Sequence, residues 1–147
     1  MNEKNYYPPM HTAEHVLNQT MVRKFNCGRS FNAHIERKKS KCDYRLPSPI
    51  TDEQVKDIEG TVNEELSKNH SVTERFVTLE KARRFVDTSK LPKDVGEKIR
   101  IVSVGEYDHC ACIGPHVSNT SEIGTFKITT HSWENGVLRL RFKITEP

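Results

Sequence analysis

The sequence predicts an α+β fold, with a largely antiparallel sheet and two or three helices packed on one face. One observation behind this prediction is an Asn-Gly dipeptide between alternating apolar stretches at 124–133 and 136–144, which is typical of a β-hairpin. The other is a helix predicted from Thr51, which forms a capping-box pattern with Gln54 and precedes an apolar stripe at helical spacing. Hairpin strands interleaved with such helices favour helices that cover one face of the sheet.

The remaining elements follow from the same periodicities. A first helix is predicted over 11–25, where no Gly or Pro interrupts and apolar residues recur at helical intervals. Further strands are predicted at 30–36, 41–46, 71–77 and 98–105, with a short helix at 78–86 and a loop at 87–97. The sequence contains no internal repeat, so residues 1–147 are predicted to form a single domain.

Composition limits the class of protein. Of the 147 residues, 29% are charged and 34% hydrophobic, and no apolar run reaches the ~18 residues of a spanning helix. The first ten residues lack the apolar segment of a secretory signal, so a cytoplasmic location is expected. In that reducing compartment, the four cysteines are expected to bind metal or pack in the core more often than to form disulfides.

Positive charge is locally concentrated although the net charge is only +3. Basic residues cluster at 36–41, 82–84 and 139–143. In the last cluster Arg139, Arg141 and Lys143 alternate with apolar residues, so a strand would present all three basic side chains on one face. A solvated sheet face and a nucleic-acid contact both fit this pattern.

Two pairs of metal-binding residue types occur at the same spacing. His11 and His15 lie one turn apart on the first predicted helix, and Cys112 and His116 follow a predicted strand. Three imidazoles and one thiolate form a ligand set that Zn²⁺ accepts in tetrahedral geometry. Four protein ligands are typical of a structural zinc site, but a site of this kind can also be catalytic if it takes up water or substrate as an exchangeable ligand.

The two segments that carry these pairs, "HTAEHVLNQTM" and "CIGPHVSNTSEIG", resemble the editing domain shared by alanyl- and threonyl-tRNA synthetases. The chain is most similar to the short, free-standing alanyl-tRNA editing proteins of AlaX type, and the resemblance covers nearly all of it. The family's ligand positions fall on His11, His15, Cys112 and His116, which favours Cys112 over its neighbours His109 and Cys110.

The resemblance implies a zinc-dependent hydrolase that cleaves the ester between a wrong amino acid and tRNA. Mischarged tRNA is then the partner, and trans-editing of Ser-tRNA(Ala) is the leading hypothesis, with Gly-tRNA(Ala) as a second substrate. Gly114 to Val117 read "GPHV", which is threonyl-like, so Ser-tRNA(Thr) is an alternative substrate. A non-catalytic, zinc-stabilised tRNA-binding module is a further alternative. For the oligomeric state, both a monomer and a homodimer are compatible with the sequence.

The Gly-Pro turn and the resemblance each indicate residues for catalysis. Backbone N–H groups at Ile113 and Gly114 could stabilise an oxyanion, although a Gly-Pro turn could equally serve only to shape the loop. Ser30 is the nearest counterpart of the hydroxyl residue that recognises serine in the family, with turn capping as the alternative role.

Substrate-binding residues are predicted at two kinds of position. Asn119 and Thr120 follow the last ligand and could line the pocket or simply form a turn. Lys38, Lys39 and Arg141 represent the basic residues expected to meet tRNA phosphates.

Overall fold

A computed structural model describes residues 7–84, 86, 88 and 98–147, and the predicted α+β class is confirmed. The helices are α1 (Pro8–Phe25), α2 (Asp52–Leu66) and α3 (Leu79–Arg83). The strands are β1 (Asn32–His34), β2 (Ser40–Arg45), β3 (Val72–Thr78), β4 (Lys98–Val104), β5 (Asp108–Ala111), β6 (Thr125–Glu134) and β7 (Val137–Thr145). The loop predicted at 87–97 lies outside the described residues apart from residue 88.

The strands form two antiparallel sheets where the sequence predicted a single one. One sheet has the order β1-β2-β7-β6 and the other the order β3-β4-β5. Periodicity indicates which face of a strand is buried but not which strand lies beside it, so the division could not be predicted from it. Strand β5 was missed altogether, because its four residues are too short to show a pattern. The single-domain assignment stays a prediction.

The hairpin of β6 and β7 has the predicted turn. Asn135 and Gly136 both have positive φ, 51° and 82°, as a type I′ turn requires. Along β7, Leu138, Leu140 and Phe142 are fully buried while the basic residues between them face outward, so the predicted alternation is confirmed.

Helix α2 carries the predicted capping box. The backbone N–H of Gln54 donates to the Thr51 hydroxyl at 3.1 Å, and that of Thr51 donates to the Gln54 side chain at 2.8 Å. The helix buries Ile58, Val62 and Leu66 and ends at Leu66.

Helix α1 lies in the interior and positions the site. Its apolar residues share the main core with the inner face of the four-stranded sheet, and the helix also contacts α2, β4 and β5. Burial on several sides places polar residues of α1, among them His11, Thr12, His15 and Asn18, inside the protein. Buried polar groups need hydrogen-bond partners, and these partners define the site. No helix among the described residues is long and apolar enough to cross a membrane.

Candidate metal centre

The structure brings the four predicted ligands together. One potential ligand atom from each of His11, His15, Cys112 and His116 lies within 4.8 Å of all the others. His11 and His15 are placed by consecutive turns of α1, and Cys112 directly follows the last residue of β5.

Distances around the thiol match a zinc site. The Sγ of Cys112 lies 3.4 Å from Nε2 of His11 and 3.5 Å from Nε2 of His116. Zinc bonds of ~2.0–2.1 Å to nitrogen and ~2.3 Å to sulfur at a tetrahedral angle imply a sulfur–nitrogen separation of about 3.6 Å. The donor set and these two edges of the tetrahedron therefore fit Zn²⁺.

The outer nitrogens of two imidazoles have neutral partners. Nδ1 of His11 donates to the carbonyl of Pro115 at 2.9 Å, which fixes the proton on Nδ1 because a carbonyl can only accept. Nδ1 of His116 contacts the hydroxyl of Thr12 at 2.8 Å, and that hydroxyl also accepts from the N–H of Val117 at 3.3 Å. Both rings thus direct Nε2 toward the thiol, as zinc ligands require.

The third imidazole faces a carboxylate. Nδ1 of His15 lies 3.5 Å from Oδ2 of Asp108, at the limit of hydrogen-bond distance, and is a buried nitrogen without a hydrogen bond among the described residues. Asp108 is itself fully buried and is held by Arg29 and Gln19. Because Nδ1 of His15 faces this carboxylate, Nε2 is the nitrogen that would be left to bind a metal.

Electrostatics favour the protonation states that bind zinc at two of the ligands. Burial raises the pKa of the Cys112 thiol, but its contacts with His11, His116 and His15 outweigh burial and lower the pKa to about 2, which favours the thiolate. Burial, together with the neighbouring His15 and His11, lowers the pKa of His116 to about 4 and keeps it neutral. Burial alone would lower the pKa of His15, but Asp108 and Cys112 raise it, so metal binding there would release a proton.

The turn between Cys112 and His116 is held by Arg100. Its Nη1 donates to the carbonyl of Gly114 at 2.6 Å and to that of Cys112 at 3.3 Å, while Nε pairs with Glu74 at 2.7 Å. Among the described residues, the N–H groups of Ile113 and Gly114 donate no hydrogen bond. The prediction that they stabilise an oxyanion is compatible with this arrangement and stays a prediction.

Ser30 is buried close to the Asp108 network, directly after Arg29 in the chain. Its backbone N–H donates to the side-chain oxygen of Asn18 at 3.2 Å, and its hydroxyl contacts the thiol of Cys42. Its predicted role in recognising serine stays a prediction.

Asn119 and Thr120 already have structural partners. The Asn119 side chain caps a short 3-10 turn by accepting from the N–H of Ser121 at 2.8 Å. The Thr120 hydroxyl accepts from the N–H of His70 at 2.9 Å. Contact of either residue with substrate stays a prediction.

The predicted phosphate contacts lie on the surface. Lys38 and Lys39 are exposed in the turn between β1 and β2, and Arg141 is exposed on the outer face of the four-stranded sheet. The neighbouring Arg139 is committed to a bidentate pair with Asp43 at 2.8 and 2.9 Å.

Sequence reasoning missed the outer partners of the ligands, namely Thr12, Arg100 and Asp108. A signal existed for Asp108, because alternation along an extended segment places it on the same face as Cys112, four residues later. Nothing in the local sequence indicates that Thr12 reaches His116 or that Arg100 reaches Gly114.

Comparison with known proteins agrees with this site. Residues 99–140 match the family described as the threonyl and alanyl tRNA synthetase second additional domain, and this match includes Cys112 and His116. The predicted resemblance to the synthetase editing domain is therefore confirmed, and the family match itself extends over residues 99–140. An alanine–tRNA ligase of Petrotoga mobilis is 32% identical over 132 residues, and one of Xanthomonas campestris pv. campestris is 31% identical over 138 residues. Each alignment covers 88% of this chain but 15% of the ligase, so the chain spans only a small part of these relatives.

Proposed function

We propose that the chain is a zinc-dependent editing hydrolase that deacylates Ser-tRNA(Ala), with Gly-tRNA(Ala) as a second substrate. The observation that carries the proposal is the convergence of His11, His15, Cys112 and His116 within 4.8 Å, in a chain whose relatives include alanine–tRNA ligases. A synthetase pocket built for alanine discriminates weakly against similar small amino acids, which gives a separate hydrolytic site its purpose.

The reaction requires a polarised ester, an aligned water and a stabilised oxyanion. Zinc bound to the four ligands would supply a Lewis acid and a point of attachment for a water or an amine. The chain's own contribution is the turn at 112–116, which Arg100 holds so that the N–H groups of Ile113 and Gly114 can donate to developing negative charge. In the proposed site the Ser30 hydroxyl bonds the serine side chain, since an unmet polar group would cost ~1–3 kcal/mol.

The tRNA body would be held by charge. Lys38, Lys39 and Arg141 are exposed cations, and the outer sheet face adds Lys127 and Lys143. Contacts of this kind bind phosphates with little sequence preference, and we expect affinity for tRNA to fall steeply as salt rises. A cytoplasmic location would also keep Cys112 reduced and available as a ligand.

A second substrate assignment has its own support. Gly114-Pro115-His116-Val117 is threonyl-like, and the matching family spans both threonyl and alanyl synthetases. Ser-tRNA(Thr) is therefore the second candidate substrate for the same chemistry.

The decisive experiment measures the release of labelled amino acid from Ser-tRNA(Ala), Gly-tRNA(Ala) and Ser-tRNA(Thr), with Ala-tRNA(Ala) and Thr-tRNA(Thr) as correctly charged controls. We expect preferential hydrolysis of Ser-tRNA(Ala), and preference for Ser-tRNA(Thr) would select the second candidate. Cys112→Ser should abolish release, whereas Cys27→Ser, which changes a half-buried cysteine outside the ligand set, should not. If the zinc-loaded, folded protein binds tRNA but hydrolyses none of these substrates, the binding-module alternative replaces the proposal.

A further inference from the structure

Behind the metal ligands lies a buried carboxylate that the proposed reaction does not use. Asp108 is the first residue of β5, is fully buried and precedes Cys112 by four residues. Burying a carboxylate costs free energy unless it is paired, so the position of Asp108 and the side chains around it need an explanation.

Two side chains from separate segments fix this carboxylate. Arg29, in the segment after α1, donates to Oδ1 at 2.6 Å and to Oδ2 at 3.2 Å. Gln19, on α1, donates to Oδ1 at 3.0 Å. A bidentate guanidinium and an amide together leave Oδ2 as the less crowded oxygen.

That oxygen lies against a metal ligand. Oδ2 is 3.5 Å from Nδ1 of His15, which sits one helical turn before Gln19 on the same face of α1. Nδ1 of His11 contacts a carbonyl, and Nδ1 of His116 contacts a hydroxyl. Among the described residues, His15 is therefore the ligand whose Nδ1 faces an anion.

We propose that Asp108 is a positioning residue for the metal centre, holding His15 with a proton on Nδ1 and with Nε2 directed at zinc, and that Arg29 and Gln19 fix the carboxylate in that role. The inference rests on the zinc site of the proposed function. An outer carboxylate of this kind orients a histidine ligand and raises its basicity, and its loss typically weakens metal affinity 10–100-fold.

The same fold supplies a matched control. Asp43 is also buried and also accepts a bidentate pair from an arginine, Arg139, at 2.8 and 2.9 Å. This pair lies on the outer face of the four-stranded sheet, and no hydrogen bond or ion pair among the described residues joins it to a predicted metal ligand. Asp43→Asn therefore reproduces the loss of a buried carboxylate–guanidinium pair without touching the metal centre.

The test is the zinc dissociation constant, measured by competition with a chromophoric chelator at fixed pH, with far-ultraviolet circular dichroism on the same samples. Asp108→Asn should bind zinc 10–100-fold more weakly than the wild-type protein, and Asp43→Asn should bind within twofold of it. Equal affinity in folded Asp108→Asn, or an equal loss in Asp43→Asn, would overturn the proposal.

Two measurements guard against an unfolded variant. Asp108→Asn leaves the Arg29 guanidinium without its carboxylate, and the double substitution Asp108→Asn with Arg29→Gln removes that charge. We expect the double variant to show the same loss of zinc affinity as Asp108→Asn alone. Long-range ¹H–¹⁵N spectra of the zinc-loaded wild-type protein need no variant and should show His15 protonated at Nδ1. Metal coordination through Nδ1 of His15 would overturn the proposal whatever the variants do.

Failure of this inference differs from failure of the proposed function. If the wild-type protein binds no zinc, both are wrong. If it binds zinc and Asp108→Asn binds it equally, only the role of Asp108 is wrong, and serine release from charged tRNA remains an independent measurement.

Discussion

Thr12 links helix α1, which carries two of the potential ligands, to His116 in the loop that carries the other two, and replacing Thr12 with valine tests how the centre is built. The side chain is fully buried, and its hydroxyl accepts from the N–H of Val117 and contacts Nδ1 of His116. Valine has nearly the same shape, so Thr12→Val removes both contacts without opening a cavity.

The expected cost follows from the two groups left without a partner. The Val117 N–H is buried, and losing its acceptor costs ~1–3 kcal/mol. His116 is only half-buried, so water can replace part of its contact and its share falls at the lower end of that range. Together they predict a loss of ~2–4 kcal/mol in unfolding free energy. Because His116 also loses its outer partner, zinc affinity should fall about 10–100-fold.

Thr20→Val provides the control on the same helix. Thr20 is equally buried, and its hydroxyl donates to the Val16 carbonyl and contacts the Tyr107 hydroxyl at 2.7 Å, so the substitution also strands a polar group. Urea unfolding of the metal-free proteins should show destabilisation in both variants, whereas chelator competition should show weakened zinc binding only in Thr12→Val. If zinc affinity falls equally in both variants, Thr12 does not position His116 and the reasoning is wrong.

Three further predictions concern other parts of the molecule. Removing zinc with a chelator should lower the thermal midpoint by roughly 5–11 °C if zinc was present at 100 times its dissociation constant, and magnesium should not restore it. Gly60→Ala, in the interior of α2 where an added Cβ meets no atom within 4 Å, should raise the unfolding free energy by ~0.5–1 kcal/mol in urea; a loss would contradict the packing described. The hydrogen bond from Arg139 is the main cause that lowers the pKa of Asp43, so the stability due to the Asp43 carboxylate is complete above the ordinary aspartate pKa and is lost as pH falls through the lower folded-state pKa. The difference in unfolding free energy between wild type and Asp43→Asn should therefore shrink from pH 7 to pH 3, and a constant difference would show that charge is not the cause.

The cluster of four potential metal ligands could be predicted because the spacing within each pair is a local signal. His11 and His15 share a helix face by virtue of spacing alone, and that helix forms as predicted, although it begins three residues earlier, at Pro8. The type I′ hairpin could also be predicted from a local signal, since few residues other than Asn and Gly adopt positive φ without strain.

The arrangement of strands and the outer partners of the ligands depend on contacts between distant segments, and no local pattern encodes them. Asp108 meets Arg29 across 79 residues of sequence, and Thr12 meets His116 across 104. The separation of β3, β4 and β5 into their own sheet likewise depends on which strands become neighbours. Sequence spacing therefore predicts the cluster of potential ligand atoms better than the groups that hold those atoms in place.

Helix α1 carries both potential metal ligands and groups that hold other parts of the centre in place. It supplies the potential ligands His11 and His15, the hydroxyl of Thr12 that contacts His116, and the amide of Gln19 that holds Asp108. A rotation of α1 about its axis would disturb three imidazoles and the carboxylate together, because all of them depend on the same few turns. The polar residues that make α1 a poor amphipathic helix are the residues that organise the metal centre, and the surrounding core keeps the helix from rotating.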